Sequence, residues 1–379
     1  MKNNKRFTTL LFLGFVLFFS CENSKVIPVI DLDKIDHSIN LDIADILEDI
    51  TMVQISSDFV LSVRDQIYVT SRYLIIYING ESLHLFSRDG RHIRKLAERG
   101  NGPGEFTHIR HFFADKEERI LYYIDHGNRT RLNRIDISSG ATLEPLQIDF
   151  TYLTANYING KVFSFPFFRY TPGSLDASDP RGPRIQTSTL PDSATVFCSI
   201  ALPSGKMDRN QGWHNYTNLI SGSSVTSYYD EIILLNLGYA DTLFTLKDNK
   251  LSPLGVLRLP NKMTKNHEGG SGCEIITAYK NGIVFSKINI GFPRPGRIAQ
   301  NLEFFALYDR KGNVFKIDNT HVMNIQINFA NYVGTPSAFL PITCGKYGYM
   351  MVEHDIFEPR PSNFDPDNDN PIIIVGTLK

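Results

Sequence analysis

Short apolar runs separated by turn residues make up most of the chain. Segments such as QIYVT (66–70), YLIIYI (73–78) and EIILLNL (231–237) are rich in β-branched and aromatic residues, and turn residues border them. Only INLDIADILEDITMVQI (39–55) approaches the helical period of about 3.6 residues, and it predicts at most one helical turn. The pattern therefore predicts an all-β chain with many strands.

One supersecondary pattern recurs: an apolar strand, a turn centred on an aspartate, and a second apolar strand. The turn aspartates are Asp89, Asp136, Asp248 and Asp309, which are 47, 112 and 61 residues apart. These spacings fit a period of about 50 to 60 residues if one further copy lies near residue 192, in LPDSATVFCSI. Such a period suits the four-stranded blade of a propeller with generous loops.

The length of the chain then predicts the number of blades. After the first 20 residues, 359 residues remain, enough for six blades of about 60 residues each. We therefore predict a six-bladed β-propeller with four-stranded antiparallel blades over residues 46–379. The strand-like segments KVIPVIDL (25–32) and NPIIIVGTLK (370–379) are expected to pair in the last blade and close the ring. Residues 21–45 would then serve as a tether that includes this closing strand.

The first 20 residues are typical of an export signal. Basic residues occupy three of the first six positions, and an apolar run of ten residues follows, too short to span a bilayer comfortably. The run ends at Ser20-Cys21, which resembles a bacterial lipobox. This resemblance implies cleavage before Cys21 and attachment of lipid to that cysteine, whose acyl chains would anchor the protein. The alternative is a plain secretion signal followed by a chance cysteine.

Charge and cysteine content narrow the candidate partners. The formal net charge is −1 with no block of basic residues, so we expect no nucleic-acid partner. Besides Cys21 the chain has Cys198, Cys273 and Cys344, an odd number without the C-x-x-C spacing of a thiolate zinc site. Each of these three is interpreted as a small buried side chain.

The segment RGNGPGEF (99–106) has two interpretations. A phosphate-binding loop would need a helix N-terminus directly after the glycines, but EFTHIRHFFADKEERILYYID follows, which is typical of a strand, an acidic turn and another strand. We therefore interpret the segment as a connector between blades, in which Phe106 enters the interface and Arg99 pairs with Glu105. The predicted connector residues are Gly100, Gly102, Pro103, Gly104 and Phe106.

Three segments resemble one known family. GNGPGEF, YADTLFTL and the terminal DNPIIIVGTLK are similar to segments of six-bladed β-propeller lipoproteins of the Bacteroidota. A looser likeness extends to NHL-repeat propellers, which place a similar glycine-containing connector between blades. The resemblance implies a propeller fold and a cell-envelope location, and it implies no particular reaction.

Four residues are candidates for binding. His108 and Arg110 follow the connector and lie on one face of a predicted inner strand, where they would either bind a ligand in the central channel or form its hydrogen-bonded wall. Trp213 and His214 lie in the polar stretch DRNQGWHNYTN, where the aromatic rings would either contact a sugar or protein partner or cap a blade edge. No metal-binding or nucleophile motif occurs, so we assign no catalytic residue, metal or cofactor.

Two functions from different classes remain open at this point. The first is a cell-envelope lipoprotein, bound to the membrane by its lipid, whose propeller binds an envelope protein or a glycan. The alternative is an envelope enzyme, a lyase or hydrolase acting on a glycan or lactone in the central channel. CENSK lacks the strongly acidic stretch associated with surface export, so we expect the periplasmic side of the outer membrane.

Overall fold

The structure is a computed structural model of the chain. It describes residues 27–63, 65–102, 104–125, 127–147, 154–158, 161–165, 184–189, 196–201, 224–229, 231–236, 242–248, 250–258, 270–294, 297–322, 325–328, 340–353, 364–365 and 367–379.

The described residues form strands and one short helix, numbered here in chain order. The strands are β1 (Val29–Asp31), β2 (Ser38–Asp42), β3 (Leu47–Val53), β4 (Gln66–Val69), β5 (Tyr73–Ile78), β6 (Ser82–Ser87), β7 (His92–Glu98), β8 (Ile109–Ala114), β9 (Ile120–Asp125), β10 (Asn128–Asp136), β11 (Thr142–Gln147), β12 (Thr154–Ile158), β13 (Lys161–Phe165), β14 (Arg184–Thr189), β15 (Val196–Ala201), β16 (Ser224–Tyr228), β17 (Glu231–Asn236), β18 (Thr242–Lys247), β19 (Lys250–Arg258), β20 (Gly270–Tyr279), β21 (Gly282–Arg294), β22 (Arg297–Tyr308), β23 (Val314–Val322), β24 (Ile325–Asn328), β25 (Ile342–Cys344), β26 (Tyr347–Val352) and β27 (Ile372–Leu378). The helix is α1 (Ile43–Ile46).

The sheets form a β-propeller. In the described part of the chain, five blades each consist of four consecutive antiparallel strands: β4–β7, β8–β11, β12–β15, β16–β19 and β20–β23. A further sheet, here called the closing sheet, is composite and contains β25, β26, β27 and β3. Contacts between different sheets run mainly through their first strands, so these strands line the axis of the ring.

The prediction of six such blades is wrong. Each blade ends in a hairpin of its third and fourth strands, and the aspartate-centred pattern marks these hairpins. Four copies are centred on the turn aspartates, and the fifth hairpin is β14–β15, whose turn near residue 192 lies outside the described residues. Dividing the length by about 60 residues treated the closing sheet as a sixth blade. That sheet, however, is assembled from both ends of the chain and has no such hairpin.

The expected pairing of residues 25–32 with the C-terminal strand is also wrong. Strand β27 pairs with β3, in a register that places Ile373 opposite Val53. Residues 29–31 instead form β1, which adds in parallel to the outer strand β19, and β2 adds in parallel to the outer strand β23. Residues 29–42, here called the outer strap, therefore cover the outer edges of two blades, which would otherwise be free to pair with another chain.

The predicted helical turn is confirmed as α1. Asp42 caps this helix, because its Oδ1 accepts a hydrogen bond of 2.8 Å from the backbone N–H of Ala44. The helix ends after one turn, at the point where β3 begins in the closing sheet. The short helix thus redirects the chain from the outer strap into the ring.

The turn aspartates are explained by hydrogen bonding to the loop backbone. In the β10–β11 turn, Asp136 accepts hydrogen bonds from the Ser138 hydroxyl at 2.6 Å and the Ser139 N–H at 2.8 Å. These bonds lower the pKa of Asp136 to about 2. Asp309 holds the β22–β23 turn in the same way, through the N–H groups of Lys311 and Asn313.

The core lies between neighbouring sheets. The second strands β5 and β9 are buried at almost every position, because each blade is covered on both faces by its neighbours. This explains why apolar runs such as YLIIYI do not alternate with polar residues. None of the helices in the described ranges has the length and apolar character that a membrane crossing would require.

Candidate functional site

The glycine-rich segment joins β7 to β8 and lies in the first inter-blade interface. Phe106 is fully buried, with its ring centroid 5.6 Å from that of Tyr77. The Glu105 carboxylate, which we expected to pair with Arg99, accepts a hydrogen bond of 2.7 Å from the Gly102 N–H. Gly104 has a φ of +82°, and a Cβ there would lie 2.7 Å from Thr142 Oγ1. The N–H groups of Gly100, Gly102 and Glu105 thus donate to acceptors within the protein.

His108 is exposed at the start of β8. Its Nδ1 lies 3.3 Å from the Tyr77 hydroxyl, and its backbone N–H donates to Asp125. Burial alone would raise the pKa of Asp125, but hydrogen bonds from Thr107, Gly127 and His108 outweigh it and lower that pKa. His108 therefore belongs to a hydrogen-bonded corner, formed with Tyr77 and Asp125, at one end of the inner strand β8.

The remaining predicted site residues cannot be placed as side chains. Arg110 lies in β8, but its side chain is outside the described residues, and so are Pro103, Trp213, His214 and Cys21. Their roles stay predictions.

A pocket of about 790 Å³ opens at the opposite end of β8. Its walls are the turns that follow four first strands: Thr70–Arg72 after β4, Asp115–Glu118 after β8, Tyr229 after β16, and Gly345–Tyr347 after β25. We call this the mouth pocket. Its volume falls in the range of about 300 to 1,000 Å³ that is usual for small-ligand sites. His108 is about 20 Å away, the length of a six-residue strand.

An ion pair forms one wall of the mouth pocket. Glu118 Oε2 accepts a hydrogen bond of 3.1 Å from Arg72 Nε, and Arg72 Nη2 donates to the backbone carbonyls of Glu117 and Glu118. The Ser71 N–H also donates to Glu118. Burial alone would raise the pKa of Glu118, but the hydrogen bonds from Ser71 and Arg72 outweigh it and lower that pKa. Glu118 is therefore ionised and its charge is compensated within the wall.

Tyrosines form the opposite wall. Tyr229 has a φ of +50°, which is unfavourable for a bulky residue, and 43% of its surface is exposed. Its hydroxyl donates a hydrogen bond of 2.7 Å to the Leu378 carbonyl, and its ring meets Tyr228 edge-on at 4.9 Å. The Tyr228 hydroxyl likewise donates to the Lys379 carbonyl at 2.9 Å. Both rings are thus held in place by the C-terminal strand of the closing sheet.

The third wall combines a tyrosine, a lysine and a thiol, and the ring of its Tyr347 also faces the Arg88 guanidinium, which does not line the pocket. Lys346 Nζ lies 5.2 Å and the Arg88 guanidinium 5.3 Å from the centre of the Tyr347 ring, within the range of cation–π attraction. Burial raises the pKa of the Cys344 thiol to about 12. This thiol is therefore protonated at neutral pH and is not an activated nucleophile.

The mouth pocket has the chemistry of a binding site. It combines exposed aromatic surface with three cationic and three anionic side chains. Among the described residues, no group of three or more His, Cys, Asp or Glu side chains is arranged to hold a metal ion. Sequence reasoning missed this pocket because its residues come from the ends of four first strands and the turns that follow them, spread between positions 68 and 347, with no local motif.

A ring of four-stranded antiparallel blades around an axial pocket defines a β-propeller protein with a candidate ligand site. Within that class, the chain belongs to the family described as "Domain of unknown function (DUF4934)", which matches residues 27–375. No curated protein matches the chain.

One solved structure shares the fold of this chain, and two others match it less closely. A crystal structure of a "putative exported protein" from Bacteroides fragilis NCTC 9343 is 10% identical, with a TM-score of 0.58, and the match covers 93% of this chain and 99% of that one. An oligogalacturonate lyase in complex with manganese is 10% identical with a TM-score of 0.35, covering 87% of this chain and 91% of the lyase. The RRP9 WD40 repeats are 8% identical with a TM-score of 0.41, covering 87% and 98%. The latter two similarities, with TM-scores under 0.5, support no argument about fold or function.

Together, the family match and the Bacteroides structure support the resemblance to a Bacteroidota family of propellers. The likeness to NHL-repeat propellers stays a prediction.

Proposed function

We propose that this protein is a cell-envelope lipoprotein that is anchored through Cys21 and binds a ligand in the mouth pocket. The observation that carries the proposal is the pocket itself, a concave site at the ring axis with an exposed, immobilised tyrosine. The export-type N-terminus and the lipobox-like Ser20-Cys21 support an envelope location. The fold shared with a "putative exported protein" agrees with this location.

The walls of the mouth pocket favour binding by a preformed site. They come from three blades and the closing sheet, each of which is fixed by strand pairing and by packing against its neighbours. A site whose residues are held by rigid elements loses little conformational entropy when it binds a ligand. The periplasmic side of the outer membrane remains our proposed location, because CENSK lacks an acidic export stretch.

A ligand screen with the wild-type protein and two variants tests the binding site. Tyr229→Gly removes the ring and suits the positive φ, so it should fold but lose ligand-induced thermal stabilisation. The probes are uncharged oligosaccharides, acidic oligosaccharides and short peptides. His108→Ala is the matched control at the other end of β8 and should retain the stabilisation. If His108→Ala loses the stabilisation and Tyr229→Gly keeps it, the ligand binds at the opposite mouth and the proposal is wrong.

A further inference from the structure

We infer that the mouth pocket recognises an uncharged, hydroxyl-rich ligand, namely a neutral oligosaccharide. This inference rests on the proposed function and adds the ligand class to it. Three properties of the pocket carry the inference: its balanced charge, its exposed ring face, and its mixture of hydrogen-bond donors and acceptors.

The charges of the mouth pocket balance. Its cationic residues are Arg72, Lys116 and Lys346, and its anionic residues are Asp115, Glu117 and Glu118. Three of these six groups are already engaged within the protein: Glu118 pairs with Arg72, and Asp115 Oδ1 accepts from the N–H groups of Arg119 and Ile120 at 2.6 and 3.0 Å. A charged ligand would meet as much repulsion as attraction, so the pocket selects against a strong net charge.

The tyrosines present ring surface rather than hydroxyl groups. Because the hydroxyls of Tyr228 and Tyr229 both donate to backbone carbonyls, they are committed to the protein. Tyr229 lines the pocket with 43% of its surface exposed, so the group that it offers a ligand is its ring, whose orientation is fixed by the bond to the Leu378 carbonyl. The C–H face of a sugar ring is a flat apolar surface of similar size, and it stacks on such a ring without needing charge.

The rim of the pocket suits hydroxyl groups. Each sugar hydroxyl donates one hydrogen bond and accepts others, so it is best satisfied where donors and acceptors alternate. The ammonium group of Lys346 supplies donors, and the carboxylate of Glu117 supplies acceptors. The combination of a stacking ring and a mixed polar rim thus favours a saccharide over a ligand that offers only one kind of group.

Titration calorimetry with matched probes tests the ligand class. The neutral probes are hexasaccharides of glucose, mannose and xylose, and the charged probe is hexagalacturonate; an uncharged proline-rich peptide represents the alternative macromolecule. At least one neutral hexasaccharide should bind. Its Kd should change less than about two-fold between about 50 and 500 mM NaCl, because salt screens only charge–charge attraction.

Two substitutions at one position separate the ring from its hydroxyl. Tyr229→Gly should weaken binding of the neutral hexasaccharide about ten-fold or more, since it removes the stacking surface. Tyr229→Phe keeps the ring and should weaken binding less than about three-fold, and His108→Ala should leave Kd unchanged. Thermal unfolding of each variant confirms that it is folded.

The outcomes distinguish this inference from the proposed function. If hexagalacturonate or the peptide binds and Tyr229→Gly abolishes that binding, the pocket is a binding site but the ligand class is wrong. If a neutral hexasaccharide binds equally well to Tyr229→Gly, the inference is wrong for this pocket. If no probe binds in a manner that depends on Tyr229, both the inference and the proposed site are wrong.

Discussion

At the residue scale, Asn370 connects the two parts of the chain that close the ring. Its side-chain NH₂ donates to the carbonyls of Ser56 at 3.1 Å and Phe59 at 2.6 Å, and its Oδ1 accepts from the Leu61 N–H at 2.8 Å. Those partners lie in the loop that leads from β3 in the closing sheet to β4 in the first blade. The segment DNDNP (367–371) therefore has a structural role. Its side-chain amides supply this loop with the hydrogen bonds that a neighbouring strand would otherwise provide.

We predict that Asn370→Ala lowers the free energy of unfolding by about 2 to 4 kcal/mol, because it leaves the buried Leu61 N–H without this acceptor and removes the hydrogen bonds to the carbonyls of Ser56 and Phe59. Urea unfolding followed by circular dichroism measures the change. Asn313→Ala is the control, since Asn313 is exposed in a turn, and it should cost less than about 1 kcal/mol. Equal losses in the two variants would contradict the structural role of Asn370.

His84 is a second residue for which the surroundings have a measurable effect, because they shift its pKa. It is 9% exposed, its Nδ1 lies 3.1 Å from His92 Nε2, and its ring is 5.1 Å from that of Phe59. Burial, with smaller contributions from His92 and Lys95, lowers the pKa of His84 to about 4. His84 is therefore neutral in the folded protein at pH 7, and the unfolded chain takes up a proton at a higher pH than the folded protein does.

We predict that stability falls as the pH is lowered from about 6.5 to about 4. In this window the unfolded state binds a proton at position 84 and the folded state does not, which costs of order 1 to 3 kcal/mol. Urea unfolding at several pH values measures the slope. His84→Gln should flatten it, whereas His37→Gln, at an exposed histidine, should keep the wild-type slope. An unchanged slope in His84→Gln would assign the pH dependence to other groups.

At the element scale, the strands were predictable and their assembly was not. The run YLIIYI coincides with β5, and the single helical turn was found where the period changes. Such patterns reflect which positions of a strand are buried, and this information is contained in the residues of the strand itself. The partner of a strand could not be predicted in this way, because the segments that contain β1 and β27 both have the pattern of a strand and only the completed ring decides that β27 pairs with β3.

Gly104, in the connector between β7 and β8, lies where a side chain would contact a neighbouring residue. We predict that Gly104→Ala lowers the free energy of unfolding by about 1 to 2 kcal/mol more than Gly312→Ala does. Both positions have a positive φ, but only a Cβ at position 104 meets a neighbour, Thr142 Oγ1 at 2.7 Å. Urea unfolding measures both variants. Similar losses at the two glycines would show that the contact with Thr142 is relieved without cost.

At the scale of the whole molecule, the propeller fold could be predicted from the sequence, whereas the mouth pocket could not. The aspartate-centred hairpins predicted propeller blades because each blade repeats the same local turn. The mouth pocket had no such signal, since Arg72, Tyr229 and Lys346 meet only after the ring has formed. Their local sequences resemble ordinary turns, and their shared role depends on tertiary structure alone.

We predict that Cys21→Ala moves the full-length protein from the membrane fraction to the soluble fraction, because it removes the site of lipid attachment. Cell fractionation followed by immunoblotting measures the distribution. Cys344→Ala is the matched control and should stay with the membrane, since that thiol is buried in the closing sheet. Retention of Cys21→Ala in the membrane would rule out the lipid anchor.

The pairing of β3 with β27 also governs when the protein can fold. The hydrogen bond from Thr51 Oγ1 to the Val375 carbonyl joins residues 324 positions apart, so the ring depends on contacts of very long sequence separation. Such contacts form late and slowly. A chain whose last strand has not yet been synthesised has no partner for β3, and Tyr229 has no Leu378 carbonyl to fix its ring. The ring and its pocket therefore both depend on β27 and can be completed only after that strand has been synthesised.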